Sequence, residues 1–133
     1  MVKQIAVFLE NQSGKASACC KTLKEAGVNL LAMSIADTQD FGILRLITDV
    51  DQKALDALRS AGYLASIVEL VGVEVPHQTG ALSDLLILLG DGGVNVEYMY
   101  SYAESDGNAK IAFKTNTPSK AMEILEKAGA KIL

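Results

Sequence analysis

Hydrophobic and polar residues along the first half of the chain switch between the period of a strand and the period of a helix. Residues 4–10 form a β-branched, apolar run typical of a buried strand. After it, apolar residues at helical spacing predict two helices whose inward faces are Ala16, Cys19, Cys20, Leu23 and Ala26 in the first, and Ala54, Leu55, Leu58 and Ala61 in the second. Ser13 and Asp51 are the predicted N-caps, Gly27 and Gly62 the predicted ends, and further strands are predicted at 28–37, 41–48 and 64–70.

The same pattern recurs in the second half of the chain. The segment 12–14 (Gln-Ser-Gly) matches 78–80 (Gln-Thr-Gly) at an offset of 66 (80 − 14), and 27–29 matches 93–95 at the same offset. Near the end of each copy, residues 61–62 match residues 128–129 at an offset of 67 (129 − 62). One extra residue is therefore expected in the second copy, in the turn near Asp106 and Gly107. A repeat that keeps its register this well indicates a duplicated unit.

The second copy therefore predicts the same elements. Strands are expected at 71–76, 94–104, 109–115 and 131–133, with helices capped by Thr79 and Thr117 and facing inward through Leu82, Leu85, Leu86, Leu89, Met122, Leu125 and Ala128. Both copies follow the order βαββαβ, so the predicted fold class is α+β, with two ferredoxin-like modules whose helices lie on one face of an antiparallel sheet. We expect a first domain at 1–70 and a second at 71–133. Because no flexible linker separates them, we expect a rigid pair and a ligand site at the domain or subunit interface.

Composition narrows the classes of function. Half of the residues are hydrophobic, which is enough for a packed core. The net charge of −4 would be repelled by a phosphate backbone, so no nucleic acid is expected as a partner. There is no apolar run long enough to span a membrane and no apolar signal core at the N-terminus, so a cytoplasmic protein without membrane contact is predicted.

Candidates for catalysis are few. His77 is the only histidine, and its counterpart in the first copy is Asn11, which has no capacity as a general base. A small enzyme built on His77 is one hypothesis, and an exposed polar turn residue is the other. The sequence contains no Cys-x-x-Cys motif, histidine pair or calcium-binding loop. We interpret the adjacent Cys19 and Cys20 as small buried hydrophobic residues, in preference to a redox or metal role. We predict no catalytic residue, no metal and no cofactor.

Two segments in each copy carry a resemblance to a known family. Residues 5–15 (IAVFLENQSGK) with 23–30 (LKEAGVNL), and 73–82 (VEVPHQTGAL) with 93–96 (GVNV), resemble the ACT domain family. Residues 31–38 with 41–45 are similar to small stand-alone tandem ACT proteins. The family often has Pro-Gly in the first turn, whereas this chain has a hydroxyl residue before the glycine in both copies. The resemblance implies a regulatory protein that binds a small molecule, usually an amino acid, near the turn before the first helix of a module.

The chemistry of that turn agrees with a zwitterionic ligand. A helix N-terminus offers unpaired N–H groups to a carboxylate. For the ammonium we favour Asn29 and Asn95, with Asp37 as a weaker choice; the alternative is that both asparagines are polar turn residues. Lys15 adds a cation beside the first turn and gives that copy slightly more weight. The predicted ligand-binding residues are Asn11, Gln12, Ser13, Gly14, Lys15, Gly27, Val28, Asn29, His77, Gln78, Thr79, Gly80, Ala81, Gly93, Val94 and Asn95.

Tyr98, Tyr100 and Tyr102 alternate and are predicted to line one sheet face, where packing or dimer contact is favoured over stacking of single-stranded RNA. The second strand of each copy is expected at a sheet edge, paired with another second strand in the chain or in a homodimer. The leading hypothesis is an allosteric, amino-acid-binding regulatory protein. The alternative is a regulatory subunit that acts on an amino-acid biosynthetic enzyme through protein contact, without a ligand response of its own.

Overall fold

The computed structural model describes residues 1–37 and 40–133, and at residue 37 the backbone alone. The described residues form β1 (Val2–Glu10), α1 (Lys15–Glu25), β2 (Leu30–Asp37), β3 (Phe41–Thr48), α2 (Asp51–Ser60), β4 (Ala65–Pro76), α3 (Ala81–Asp91), β5 (Tyr98–Ser105), β6 (Asn108–Lys114), α4 (Pro118–Lys127) and β7 (Lys131–Ile132). They divide into two compact units, 3–68 and 69–133, and Met1 and Val2 belong to the second. None of these helices is long and apolar enough to cross a membrane.

The first unit has the strand order β2-β3-β1-β4. Antiparallel pairing places Phe8 opposite Ile43 and Ser34 opposite Arg45. Alternate residues of β1 and β3 form one core with both helices, as a sheet with helices on one face requires. The buried members of this core are Ile5, Val7, Leu9, Cys19, Leu23, Val28, Leu44, Leu46, Ala54, Leu55, Leu58 and Ala65.

The second unit repeats this arrangement with the order β7-β4-β6-β5. Its core is formed by Val71, Val73, Leu85, Leu89, Val94, Ala109, Ile111, Phe113, Ala121 and Leu125. The extra residue was predicted in the turn near Asp106 and Gly107, and this position is wrong. Ile35 and Ala36 pair with Leu44 and Ile43 in the first unit, whereas a bulge separates their counterparts Ser101 and Ala103 in the second, so Tyr102 is the extra residue. Asp106 and Gly107 form the hairpin turn, and both have positive φ (52° and 77°), as a type I′ turn requires. Both units are therefore ferredoxin-like, and the predicted fold class is confirmed.

The main differences from the predicted strand boundaries are in β4 and at the start of the second strand of each copy, and the other ends shift by one or two residues. The predicted strands 64–70 and 71–76 form the single strand β4, because no turn residue interrupts the β-forming run between them. The second strand of each copy begins later than predicted, at Leu30 and Tyr98, because the residues after each helix-ending glycine are still part of the connection.

The N-cap of the first helix of each unit lies one residue after the predicted cap. The N-cap residues are Gly14 and Gly80, at φ of 84° and 87°, and their carbonyls accept the first helical hydrogen bonds. Only glycine adopts this left-handed conformation at little cost, so Ser13 and Thr79 precede the cap. The predicted cap Asp51 was also wrong by one residue, since Val50 is the N-cap of α2, whereas Thr117 caps α4 as predicted.

Several residues predicted to face the core are exposed. Leu82 and Leu86 are 45% and 39% exposed, because α3 is apolar on two faces and helical spacing alone does not identify the buried one. Ala61 and Ala128 are exposed as well, since each is the C-cap residue that follows its helix. The remaining predicted inward positions are buried or partly buried.

The repeat also yields a stability prediction at Thr48, whose buried Oγ1 has no hydrogen-bond partner among the described residues. At its counterpart Thr115, Oγ1 accepts the backbone N–H of Thr117 at 3.2 Å and lies 3.4 Å from Thr117 Oγ1. The first copy has Val50 at the position of Thr117. Because a buried hydroxyl without a partner is costly, Val50→Thr is expected to raise the free energy of unfolding by about 0.5–1.5 kcal/mol in urea titrations.

The matched control is Val50→Thr in a Thr48→Val background, where the new hydroxyl has no partner to satisfy. The gain in the free energy of unfolding should disappear there. An equal gain in both backgrounds would show that the new hydroxyl acts on the N-terminus of α2 and not on Thr48.

The second strands lie at sheet edges, as predicted, because β2 pairs with β3 and β5 pairs with β6 at the end of each unit's strand order. The predicted pairing of the two second strands within the chain is wrong, because β2 and β5 are not paired with each other in the strand order of the described residues. Pairing with a strand of a second chain in a homodimer stays a prediction. The alternation of tyrosines holds for Tyr98 and Tyr100, but a bulge between Ser101 and Ala103 interrupts it before Tyr102. Burial, and secondarily Glu74, raises the pKa of Tyr102.

Candidate functional site

The turn before the first helix has the same geometry in both units. The backbone N–H of Asn11 donates to Asp40 at 3.0 Å, and that of His77 donates to Gly107 at 2.8 Å, which ties each turn to a hairpin end. Within the turns, Lys15 N–H donates to Gln12 at 3.3 Å and Ala81 N–H donates to Gln78 at 3.2 Å. The turn is thus a duplicated, hydrogen-bonded feature that aims the first amides of the helix in one direction.

In the second unit this turn borders a cleft of about 360 Å³ between the start of α3 and strand β5, which we call the strand cleft. The predicted residues His77, Gln78 and Ala81 line it. Thr79 and Gly80 occupy the same turn without lining the cleft. The remaining lining residues were not predicted: Val75, Pro76, Leu82, Met99, Tyr100, Ser101, Ala109 and Ile111.

A second cleft, of about 480 Å³, lies on the other side of the same turn, and we call it the helix cleft. It shares Val75, Pro76, Gln78 and Ala81 with the strand cleft and extends to the end of α4 and to β7. Lys131 Nζ donates to Glu74 Oε2 at 2.7 Å in this cleft, where only 8% of the Glu74 side chain is exposed. The ion pair gives the helix cleft a charged wall, which the strand cleft lacks in its lining.

The first unit has a cleft of about 300 Å³ at the equivalent of the helix cleft, here the first-unit cleft. Of the predicted residues only Lys15 lines it, and Asn11, Gln12, Ser13 and Gly14 lie exposed in the turn. Lys15 Nζ lies 3.8 Å from Glu10 Oε2. The cation for which the first copy was favoured as a ligand site therefore already has a carboxylate beside it. Its other lining residues are Phe8, Leu9, Phe41, Gly62, Tyr63 and Leu64.

The structure separates the remaining predicted residues from the turns. The sets 27–29 and 93–95 follow the C-terminal ends of α1 and α3, and each helix of 11 residues is about 16 Å long. Val28 and Val94 are buried in their cores, and the backbone of Asn29 exchanges hydrogen bonds with Asp49. Within one unit, no small ligand reaches both the turn and the asparagine. The side chain of Asp37 lies outside the described residues.

The groups considered for catalysis are placed as follows. His77 Nε2 lies 3.9 Å from Glu104 Oε2, which is too far for a hydrogen bond, and both side chains are mostly exposed. Cys19 is fully buried, and burial raises the pKa of its thiol to about 11, so it is present as an unreactive thiol at neutral pH. No group of three His, Cys, Asp or Glu side chains in the described parts of the chain could hold a metal ion.

The protein consists of two ferredoxin-like modules in tandem. Each module has a glycine-capped first helix and a cleft at the turn before it, and the described residues contain no group of side chains arranged for catalysis. The family model for an ACT domain pair matches residues 1–131. The chain therefore belongs to the ACT domain pair family, and the predicted resemblance is confirmed.

Solved structures agree with this assignment. Protein BT0572 from Bacteroides thetaiotaomicron is 36% identical, with a TM-score of 0.92, over 99% of this chain and 91% of that one. The regulatory subunit of aspartate kinase from Thermus thermophilus shares the fold at 18% identity and a TM-score of 0.66, over 95% of this chain and 91% of that one. The corresponding subunit from Thermus flavus is 17% identical, with a TM-score of 0.65, over 96% of this chain and 92% of that one. A search among curated proteins finds no match.

Proposed function

We propose that this chain is a regulatory protein that senses a free amino acid, and that the strand cleft of the second unit holds the ligand. The observation that carries the proposal is the position of this cleft, between the amide end of α3 and the edge strand β5, with His77 and Gln78 in its wall. A cleft of this size accommodates one amino acid.

The amides of α3 that follow Ala81 would bind the α-carboxylate of the ligand, because the Ala81 N–H already donates to the carbonyl of Gln78 at 3.2 Å. The first N–H groups of a helix have no partner within the helix and carry partial positive charge. This interaction contributes about 0.3–1 kcal/mol when exposed and about 2 kcal/mol when partly buried. Micromolar to millimolar affinity requires about 4–8 kcal/mol, so further contacts must supply most of the binding free energy.

The walls of the strand cleft favour an apolar ligand side chain. Leu82, Met99 and Ile111 line it together with small apolar residues, and the helix cleft rather than the strand cleft contains the Glu74–Lys131 pair. Burial of apolar area contributes about 25 cal/mol per Å². We therefore expect aliphatic amino acids to bind more tightly than charged ones.

A dimer would complete the site for the ligand's ammonium. Because Asn29 and Asn95 lie at the far ends of their helices, either asparagine could meet a ligand at a turn only if it came from another unit or another chain. If an asparagine does bind the ammonium, the ligand lies at a domain or subunit interface, and a homodimer would be the active form.

The output of the sensor would pass to a separate protein. A structural neighbour is named as the regulatory subunit of aspartate kinase, which supports a metabolic enzyme as partner and an allosteric role for the ligand. A cytoplasmic location and the absence of catalysis belong to this proposal as well. Regulation by protein contact alone, without ligand, is the second candidate, and the exposed apolar side chains of the first unit favour it.

Calorimetric titration of the full chain with each of the twenty amino acids tests the proposal. We expect heat of binding for one or a few aliphatic amino acids at micromolar to millimolar concentration and no signal for lysine or glutamate. A dissociation constant of about 10 mM corresponds to a binding free energy of about 2.7 kcal/mol. If no amino acid in the panel gives heat of binding at about 10 mM, the sensor function is excluded and regulation by protein contact remains.

A further inference from the structure

Three large apolar side chains of the first unit form an exposed cluster around the first-unit cleft. Phe8 is 51% exposed, Phe41 56% and Leu64 71%. They come from three neighbouring segments: Phe8 N–H donates to the Leu64 carbonyl at 3.0 Å, and Phe41 stands opposite Glu10, two positions along β1 from Phe8. These three residues, called the Phe8 patch below, are therefore contiguous on the molecule.

The second copy has opposite chemistry at the same backbone positions. The counterparts of the Phe8 patch are Glu74 (74 − 8 = 66), and Asn108 and Lys131 (108 − 41 = 67 and 131 − 64 = 67). Glu74 and Lys131 form the 2.7 Å ion pair of the helix cleft. The fold thus accepts a polar trio at this place, so the module does not need exposed apolar side chains there.

We propose that the Phe8 patch is a docking site for a short segment of a partner protein that inserts one large aliphatic or aromatic side chain into the first-unit cleft. Exposed aromatic residues around a cleft are the usual anchors of protein recognition. The Glu10–Lys15 pair at the rim, with one charge of each sign, accommodates a polar backbone segment on either side of the inserted residue.

The size of the patch selects a segment over a second copy of this chain. Two half-exposed phenylalanines and one leucine present on the order of 300 Å² of apolar surface. A stable dimer buries about 800 Å² on each partner. The patch alone is therefore too small for self-association and is of the size that a peptide with one anchor residue covers. The site belongs to the first unit and the strand cleft to the second, and the proposal does not depend on the proposed amino acid ligand.

The test uses the full chain as bait for a phage library of random 12-residue peptides, and the selected peptides are then synthesised and titrated by fluorescence polarisation. The variant Phe8→Glu/Leu64→Lys installs the residues of the second copy, where their ion pair is compatible with the fold. We expect selected peptides to share a leucine, methionine or aromatic residue and to bind this variant at least tenfold more weakly.

Ile35→Ser is the matched control, since Ile35 is an exposed apolar residue that does not line the first-unit cleft, and its counterpart is Ser101. Peptide affinity for this control should stay within twofold of wild type. Failure to select peptides, or equal affinity for the double variant and wild type, would overturn the proposal. A chain that is dimeric in sedimentation equilibrium and becomes monomeric only in the double variant would overturn it too, because the patch would then be a contact between copies.

The circular dichroism of the double variant shows whether it is folded, and Phe41→Asn, which also copies the second unit, replaces it if it is not. The proposed amino acid response is measured in parallel on the same proteins. Loss of peptide binding with an unchanged amino acid response, or in a chain that shows no such response, supports the docking site independently of the sensor function.

Discussion

Ser101→Trp is expected to abolish amino acid binding by the second unit while the fold is kept. Ser101 is exposed on the edge strand β5, opposite Ile111, and both residues line the strand cleft. An indole there would fill much of a cleft of about 360 Å³ without entering the core. We expect the affinity for the amino acid found in the titration panel to fall at least about 100-fold, or about 2.7 kcal/mol, as measured by calorimetry.

Ile35→Trp provides the control within the same chain, because Ile35 holds the equivalent position in the first copy (101 − 66 = 35). It is exposed on β2, so the fold should accept it equally well. If only the second unit binds ligand, this variant keeps the wild-type affinity and stoichiometry. The opposite pattern, with binding lost in Ile35→Trp and kept in Ser101→Trp, would move the site to the first unit.

Much of the fold could be predicted from the sequence because the same pattern of hydrophobic and polar residues occurs twice in the chain. The offsets of 66 and 67 residues allowed each predicted element to be checked against a second instance. They did not locate the extra residue, because the bulge at Tyr102 that holds it is set by strand pairing and not by a turn motif. Errors remained where a local pattern permits two outcomes. Leu82 and Leu86 have correct helical spacing for a core face, but in α3 that spacing fits two faces, and only the tertiary packing selects Leu85 and Leu89.

The site was less predictable than the fold, for a physical reason. His77, Gln78 and Ala81 belong to a sequence motif, so they could be proposed from the chain alone. Met99 and Ser101 reach the strand cleft only through strand pairing, which no local motif encodes. The alternating tyrosines were a signal that β5 carries something unusual, since Tyr100 does line the cleft, but their pattern alone does not distinguish a cleft wall from packing.

The two copies have diverged in a way that suggests different tasks. Where the first copy has the Phe8 patch, the second has the Glu74–Lys131 pair, and where the second has Ser101 in its strand cleft, the first has Ile35. Each difference alters the chemistry of a cleft while the backbone pattern is retained. A ligand response in the second unit and partner contact in the first would be consistent with both differences.

The largest loss of stability is expected from Phe113→Ala. Phe113 is fully buried on β6, where it belongs to the core that joins β4, α3 and α4. Removing a buried phenylalanine side chain costs about 3–5 kcal/mol, through lost transfer free energy and the cavity left behind. Small domains have about 5–15 kcal/mol of stability in total, so the second unit should lose a large part of its own. Urea unfolding followed by circular dichroism measures the change.

Phe113→Leu is the natural control, because the first copy has the fully buried Leu46 at the equivalent position (113 − 67 = 46). A leucine fills part of the space that alanine leaves empty, so the loss should be no more than about 1.5 kcal/mol. If Phe113→Ala costs as little as Phe113→Leu, the residues around position 113 must collapse into the cavity. The cost of a cavity depends on how far its walls can relax, so such a result would mean that the core of the second unit is not close-packed at Phe113.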